Sequence, residues 1–142
     1  MIRTHGVLHF TIGVTDLERA TAFYTDVLGC ELVNTNPVMS FMRTGNDLFV
    51  LTKTGMHVRP NPEGQPTAWT TLFHHALLVD PDDLPRIIAE LDERGIAWGD
   101  CTDEVKHETV PGRRHIYVYD PDGNSIELAT MIESERRALA AR

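Results

Sequence analysis

Three side chains of this 142-residue chain have the types and the strand positions needed to hold a divalent metal: His9, His74 and Glu127. Two imidazole nitrogens and one carboxylate oxygen form a mixed donor set suited to a first-row metal, with coordination positions left open for water, substrate or oxygen. The reading rests on frame. In His9-Phe-Thr-Ile-Gly-Val14 the residues Phe10, Ile12 and Val14 alternate with His9, Thr11 and Gly13, the period of a half-buried strand. His74-His-Ala-Leu-Leu-Val79 begins 65 residues later in the same frame, with His74, Ala76 and Leu78 on one face and His75, Leu77 and Val79 on the other. A slip of one residue turns a strand side chain to the opposite face, so His74 is the predicted ligand and the adjacent His75 is assigned to packing. His115 is read as the edge of a later strand, and His5 lies in a terminal segment.

The elements that must position these residues recur twice. The first strand runs into a helix that Thr15 or Asp16 can cap, with Leu17, Ala20, Phe23/Tyr24 and Val27/Leu28 at helical spacing up to Gly29. The second runs into a helix capped by Asp82 or Asp83, carrying Leu84, Ile87/Ile88 and Leu91 up to Gly95. Short strand candidates with Gly-containing turns follow each helix: residues 31–34, 38–43 and 47–52 in the first half, and 96–98, 115–119 and 125–129 in the second. The expected fold is therefore α+β, two tandem βαβββ modules forming a curved mixed sheet around a metal-binding cavity, with the helices outside. The whole of 1–142 is expected to be one such domain: module one over about 7–53, a Gly/Pro-rich linker over about 54–70, module two over about 71–130, and a tail over 131–142 containing a short surface helix. With helices on one face of each half-sheet, the opposite face holds His9 and Thr11 from one half and His74, Ala76, Tyr117, Ser125 and Glu127 from the other. The turn Asp120-Pro-Asp-Gly-Asn124 is explained by its backbone alone, since Pro fixes φ and Gly permits positive φ.

Composition narrows the partners. Lys plus Arg number 13 against 21 for Asp plus Glu, a net charge of -8, which repels phosphate backbones and anionic membrane surfaces. No nucleic acid and no membrane partner is expected. Apolar runs such as Ala76-Leu77-Leu78-Val79 fall far short of the roughly 20 residues that span a bilayer, and no long apolar stretch opens the chain; a cytoplasmic protein is the expectation. Two cysteines, Cys30 and Cys101, are too few for a disulfide framework.

The stretches Leu8-His-Phe-Thr-Ile-Gly-Val-Thr-Asp-Leu17, Phe23-Tyr-Thr-Asp-Val-Leu-Gly29 and Asp120-Pro-Asp-Gly-Asn-Ser-Ile-Glu127 resemble the vicinal oxygen chelate superfamily over roughly residues 7–130. That superfamily includes glyoxalase I, the fosfomycin-resistance thiol transferases, the bleomycin-resistance proteins and the type I extradiol dioxygenases. The resemblance implies that His9, His74 and Glu127 are metal ligands. Aligning Gly45-Asn46 with Gly123-Asn124 sets Phe49 opposite Glu127, so the fourth ligand position usual in glyoxalase I holds no ligand. Val105-Lys-His107, then Ile116-Tyr117-Val-Tyr-Asp120-Pro-Asp-Gly123 and Glu127, resembles the extradiol dioxygenase signature, with a gap between His107 and Ile116 about one residue longer than usual. The same resemblance implies catalytic roles for Tyr117 and His107, and places His57 in the region of the family's additional acid-base histidine. An imidazole near its own pKa can move a proton at neutral pH, and a Tyr hydroxyl can donate to developing negative charge.

Also implied are Fe(II), with Mn, Zn, Ni or Co as alternatives, a small-molecule substrate of catechol type, and a homodimer using a half-sheet edge and the apolar residues Trp69, Leu72 and Phe73. The leading expectation is a metal-dependent, extradiol-type ring-cleaving dioxygenase. The alternatives are a glyoxalase-like lyase or isomerase, or a thiol transferase on the same fold, and a non-catalytic drug- or metabolite-binding protein, which would need no metal triad.

Overall fold

The computed structural model describes residues 8–54, 74–102 and 113–141. They divide into two compact units, and residues 120–124 count with the first.

In the first unit the alternating segment forms strand β1 (His9–Val14), which buries Ile12 and Val14. Helix α1 (Leu17–Asp26) follows; the Asp16 carboxylate caps it by accepting from the Arg19 N–H at 3.0 Å. Gly29, at φ 66°, turns the chain out of the helix in a conformation that costs other residues about 1–2 kcal/mol. Strands β2 (Glu31–Asn36), β3 (Met39–Thr44) and β4 (Asp47–Lys53) complete a four-stranded sheet in the order β1-β4-β3-β2, with β1 parallel to β4. Its apolar face packs on α1. Phe49 of β4 stacks on Phe10 with ring centroids 5.3 Å apart and meets Tyr24 of α1 at 5.4 Å. Every residue of the edge strand β2 is exposed.

The turn 120–124 is held within the same unit by one buried carboxylate. Asp120 accepts through Oδ1 from the backbone N–H groups of Asp122 and Asn124, at 2.9 and 2.8 Å. Through Oδ2 it accepts from the Tyr24 hydroxyl at 3.1 Å and from Asn124 Nδ2 at 2.7 Å. Burial raises the pKa of Asp120 against these donors, and burial followed by the Asp120 charge raises that of Tyr24. Asp122 accepts from the backbone N–H of Thr15 at 3.0 Å and from its hydroxyl. Four donors on one carboxylate account for this turn in structural terms.

The second unit repeats the order. Strand β5 (His74–Val79) leads through a 3-10 turn (Pro81–Asp83) into helix α2 (Leu84–Glu93), then β6 (Trp98–Asp100), β7 (His115–Tyr119) and β8 (Ser125–Thr130), in the sheet order β5-β8-β7-β6 with β5 parallel to β8. Asp83 stands at the N-cap position of α2, one of the two expected, but makes no side-chain cap bond; the Asp80 carboxylate accepts from the Asp82 N–H at 2.9 Å and caps the 3-10 turn before it. The early Pro81 explains this, because it starts a turn before the helix proper. Strand β6 starts at Trp98 rather than at 96. Leu77, Ile116, Val118, Ile126 and Leu128 alternate into one apolar face, with Leu84 and Leu91 of α2 also buried. Helix α3 (Glu133–Ala140) follows, its Arg136 paired with Asp80 at 3.2 Å and Asp82 at 3.0 Å. Each unit thus runs strand, helix, strand, strand, strand, the α+β architecture expected. None of the described helices is long and apolar enough to cross a membrane.

Candidate metal centre

Parallel pairing of β5 with β8 sets His74 beside Ser125 and Ala76 beside Glu127. Antiparallel pairing of β7 with β8 sets Tyr117 beside Glu127 and His115 beside Ala129. His74, Ala76, His115, Tyr117, Ser125, Glu127 and Ala129 therefore share one face, opposite the apolar one, because successive strand residues alternate. Glu127 is 5% exposed and Tyr117 and His115 are each 2% exposed. A buried carboxylate requires polar partners, and among the described residues Glu127 meets two imidazoles. Its Oε2 lies 2.9 Å from His74 Nε2 and its Oε1 lies 2.5 Å from His115 Nδ1. Both imidazoles reach it diagonally across the sheet, a span within reach of long side chains; the residues directly opposite Glu127 are Ala76 on β5 and Tyr117 on β7. Tyr117 presents its ring edge-on to the His74 imidazole, centroids 5.6 Å apart and planes at 72°. It also packs against Cys101 and Tyr119.

The chemistry of this donor pair fits a divalent cation. Two ligand atoms about 2.1 Å from one metal and at right angles to each other stand about 3 Å apart, which is the spacing of His74 Nε2 and Glu127 Oε2. Metal binding there requires a deprotonated imidazole nitrogen and carboxylate. His75 faces the other way, half-buried beside Ile126, and burial followed by the neighbouring His74 lowers its pKa.

His9 occupies the corresponding first-strand position in β1, exposed, on the face shared by Thr11, Leu48 and Val50. The placement of Phe49 opposite Glu127 is corrected here. In the first unit Thr11, two residues beyond His9, pairs with Val50; in the second Ala76, two residues beyond His74, pairs with Glu127. Val50 is thus the register equivalent of Glu127. The glycine alignment slipped because Gly45-Asn46 is a two-residue turn between Thr44 and Asp47, whereas five residues separate Tyr119 from Ser125. Valine, like phenylalanine, cannot ligate a metal. His57 and His107 lie outside the described residues. His115 is the participant that reading the sequence missed, although the alternation that places Tyr117 on this face places His115 there too.

The model of the Glyoxalase/Bleomycin resistance protein/Dioxygenase superfamily matches residues 6–128. The chain belongs to this superfamily. Among its relatives, biphenyl-2,3-diol 1,2-dioxygenase 3 of Rhodococcus globerulus is 30% identical over 130 residues, which are 90% of this chain and 64% of that enzyme. The chain thus spans less than two thirds of the length of that relative. Among solved structures in the superfamily's fold, the genomically encoded fosfomycin resistance protein of Listeria monocytogenes superposes with a TM-score of 0.70 at 20% identity, over 94% of this chain and 99% of that one. A lactoylglutathione lyase from Agrobacterium tumefaciens gives a TM-score of 0.64 at 23% identity, over 89% and 94% of the two chains. Both superpositions speak for the fold alone.

Proposed function

We propose that this superfamily member is a metal-dependent, extradiol-type dioxygenase that opens a catechol-like ring with dioxygen, and that His9, His74 and Glu127 hold its cation, Fe(II) in the working enzyme. The observation that carries the reading is the pairing of Glu127 Oε2 with His74 Nε2 at 2.9 Å on a buried sheet face. The dioxygenase relative at 30% identity supports the choice of reaction, as does Val50 standing where a fourth protein ligand would otherwise be. Three protein ligands leave room for a substrate with two vicinal oxygens and for dioxygen. When bound, the metal supplies Lewis acidity and a common attachment point for those molecules.

The chain's own groups do the rest. Tyr117, braced by the His74 ring and by Cys101, keeps its side chain on the ligand face beside Glu127, where its hydroxyl donates to charge that develops on substrate oxygen. His107 or His57, both outside the described residues, supplies the imidazole that moves the proton. The test is metal analysis of anaerobically purified protein followed by oxygen uptake with a panel of catechols. The expected result is stoichiometric iron, one dioxygen consumed per ring and a coloured, conjugated product. Iron-loaded protein that takes up no oxygen with any catechol, yet isomerises or ligates another chelating substrate, would replace this reading with a lyase or transferase on the same fold.

A further inference from the structure

The pairing of His115 with Glu127 is a feature that metal ligation alone does not call for. His115 is 2% exposed, sits on β7 diagonally from Glu127, and brings Nδ1 to 2.5 Å from Oε1. A carboxylate that ligates a metal is ionised and only accepts, so in the metal-bound centre the imidazole donates through Nδ1–H. With Oε1 engaged, Oε2 is the oxygen left to face His74. We propose that His115 is a positioning residue for the metal centre: by holding Oε1 it fixes Glu127 as a one-oxygen ligand through Oε2 and keeps a further coordination position open for substrate. This rests on the metal-binding part of the functional reading and not on the identity of the reaction. The physical ground is general. A ligating carboxylate held by a hydrogen bond is oriented before the cation arrives, and loss of such a partner costs about tenfold to a hundredfold in metal affinity. A carboxylate released from Oε1 is free to rotate and chelate with both oxygens, filling the position that a bidentate substrate needs.

The experiment compares two substitutions of nearly equal size and shape, His115→Asn and His115→Leu. The Asn amide can donate from close to the place of Nδ1; the Leu side chain cannot, and any cavity left by the imidazole is common to both. Co(II) binding to the metal-free chains is followed by titration and by the visible absorption of the bound ion, which reports coordination number. Expected are Co(II) affinity for His115→Asn within about threefold of the parent, affinity for His115→Leu lower by about tenfold to a hundredfold, and a changed Co(II) spectrum for His115→Leu only. Equal affinities and spectra for the two variants would overturn the proposal, as would a parent chain that binds no Co(II). A parent that binds Co(II) with this pattern but, loaded with iron, opens no catechol would sink the dioxygenase reading and leave the role of His115 standing. If His115→Leu fails to fold, the Zn(II)-loaded parent decides by nitrogen-15 NMR. A slowly exchanging Nδ1–H signal that disappears in His115→Asn supports the proposal, and its absence from the parent overturns it.

Discussion

Glu127 concentrates the chemistry of the second unit: one buried carboxylate with an imidazole on each oxygen, His74 at 2.9 Å and His115 at 2.5 Å. Half of that arrangement is legible in the sequence, because two-residue periodicity places His74 and Glu127 on the face away from the apolar residues. The other half is not: alternation puts His115 on the same face as Tyr117, but it pairs with Ala129, and its reach to Glu127 is a diagonal one that periodicity alone does not show. The register makes a sharp prediction at this scale. His74→Ala should reduce bound metal below detection after dialysis, whereas His75→Ala, whose side chain lies on the apolar face beside Ile126, should retain it. Retention by the first and loss by the second would mean that the strand is read one residue out. Tyr117→Phe removes one hydroxyl from a ring otherwise held by packing, so it should leave metal content unchanged and lower turnover by roughly tenfold to a thousandfold, as loss of a donor to transition-state charge does. Steady-state kinetics on the iron-loaded variant would decide, and unchanged turnover would return Tyr117 to a purely structural role.

At the level of elements, the sequence reading placed all eight strands and the helices found among the described residues, and its errors there are confined to ends and to one register. The side-chain cap sits at Asp80 rather than at Asp83 because Pro81 starts a 3-10 turn before α2. The Phe49 alignment failed because hairpins of different length cannot be aligned on their glycines; only the parallel pairings, Thr11 with Val50 and Ala76 with Glu127, carry the register across the repeat. The correction has a measurable consequence. Phe49 is 1% exposed, stacked on Phe10 and tilted against Tyr24 of α1, so it belongs to the core under the helix and not to the ligand face. Phe49→Ala should therefore cost about 3–5 kcal/mol of stability, the transfer term plus a cavity, in a denaturant titration. A cost below about 1 kcal/mol would place the ring on the other face.

For the whole molecule the proposals concern assembly and metal linkage. Strand β2 ends its sheet with all six residues exposed, including Leu32 at 40% and Val33 at 43%. An exposed edge strand carrying an apolar pair is a natural place for a second copy of the chain. The register of β2 on β3 shifts between Leu32 and Asn34, a bulge that disfavours continuous strand pairing, so such a dimer would be joined through side chains. Light scattering at micromolar concentration should give twice the mass of one chain, and Val33→Lys should return it to one; Trp69, Leu72 and Phe73, which the sequence offered for the same interface, lie outside the described residues.

The metal proposal also sets a scale for thermal stability. A ligand that binds only the folded chain stabilises it by about 2.7 kcal/mol when its free concentration is a hundred times its dissociation constant. For a chain of this size 1 kcal/mol corresponds to roughly 2–4 °C or slightly more in Tm, so Fe(II) or Co(II) at that concentration should raise Tm by about 5–11 °C, and a chelator should reverse the rise. The control separates the centre from adventitious surface binding. The 21 carboxylates of this acidic chain offer weak sites for any divalent ion, and those sites survive Glu127→Ala whereas the proposed one does not. Calorimetry of parent and variant should therefore show the metal-dependent rise in the parent alone; an equal rise in both would assign the stabilisation to the surface and remove Glu127 from the centre.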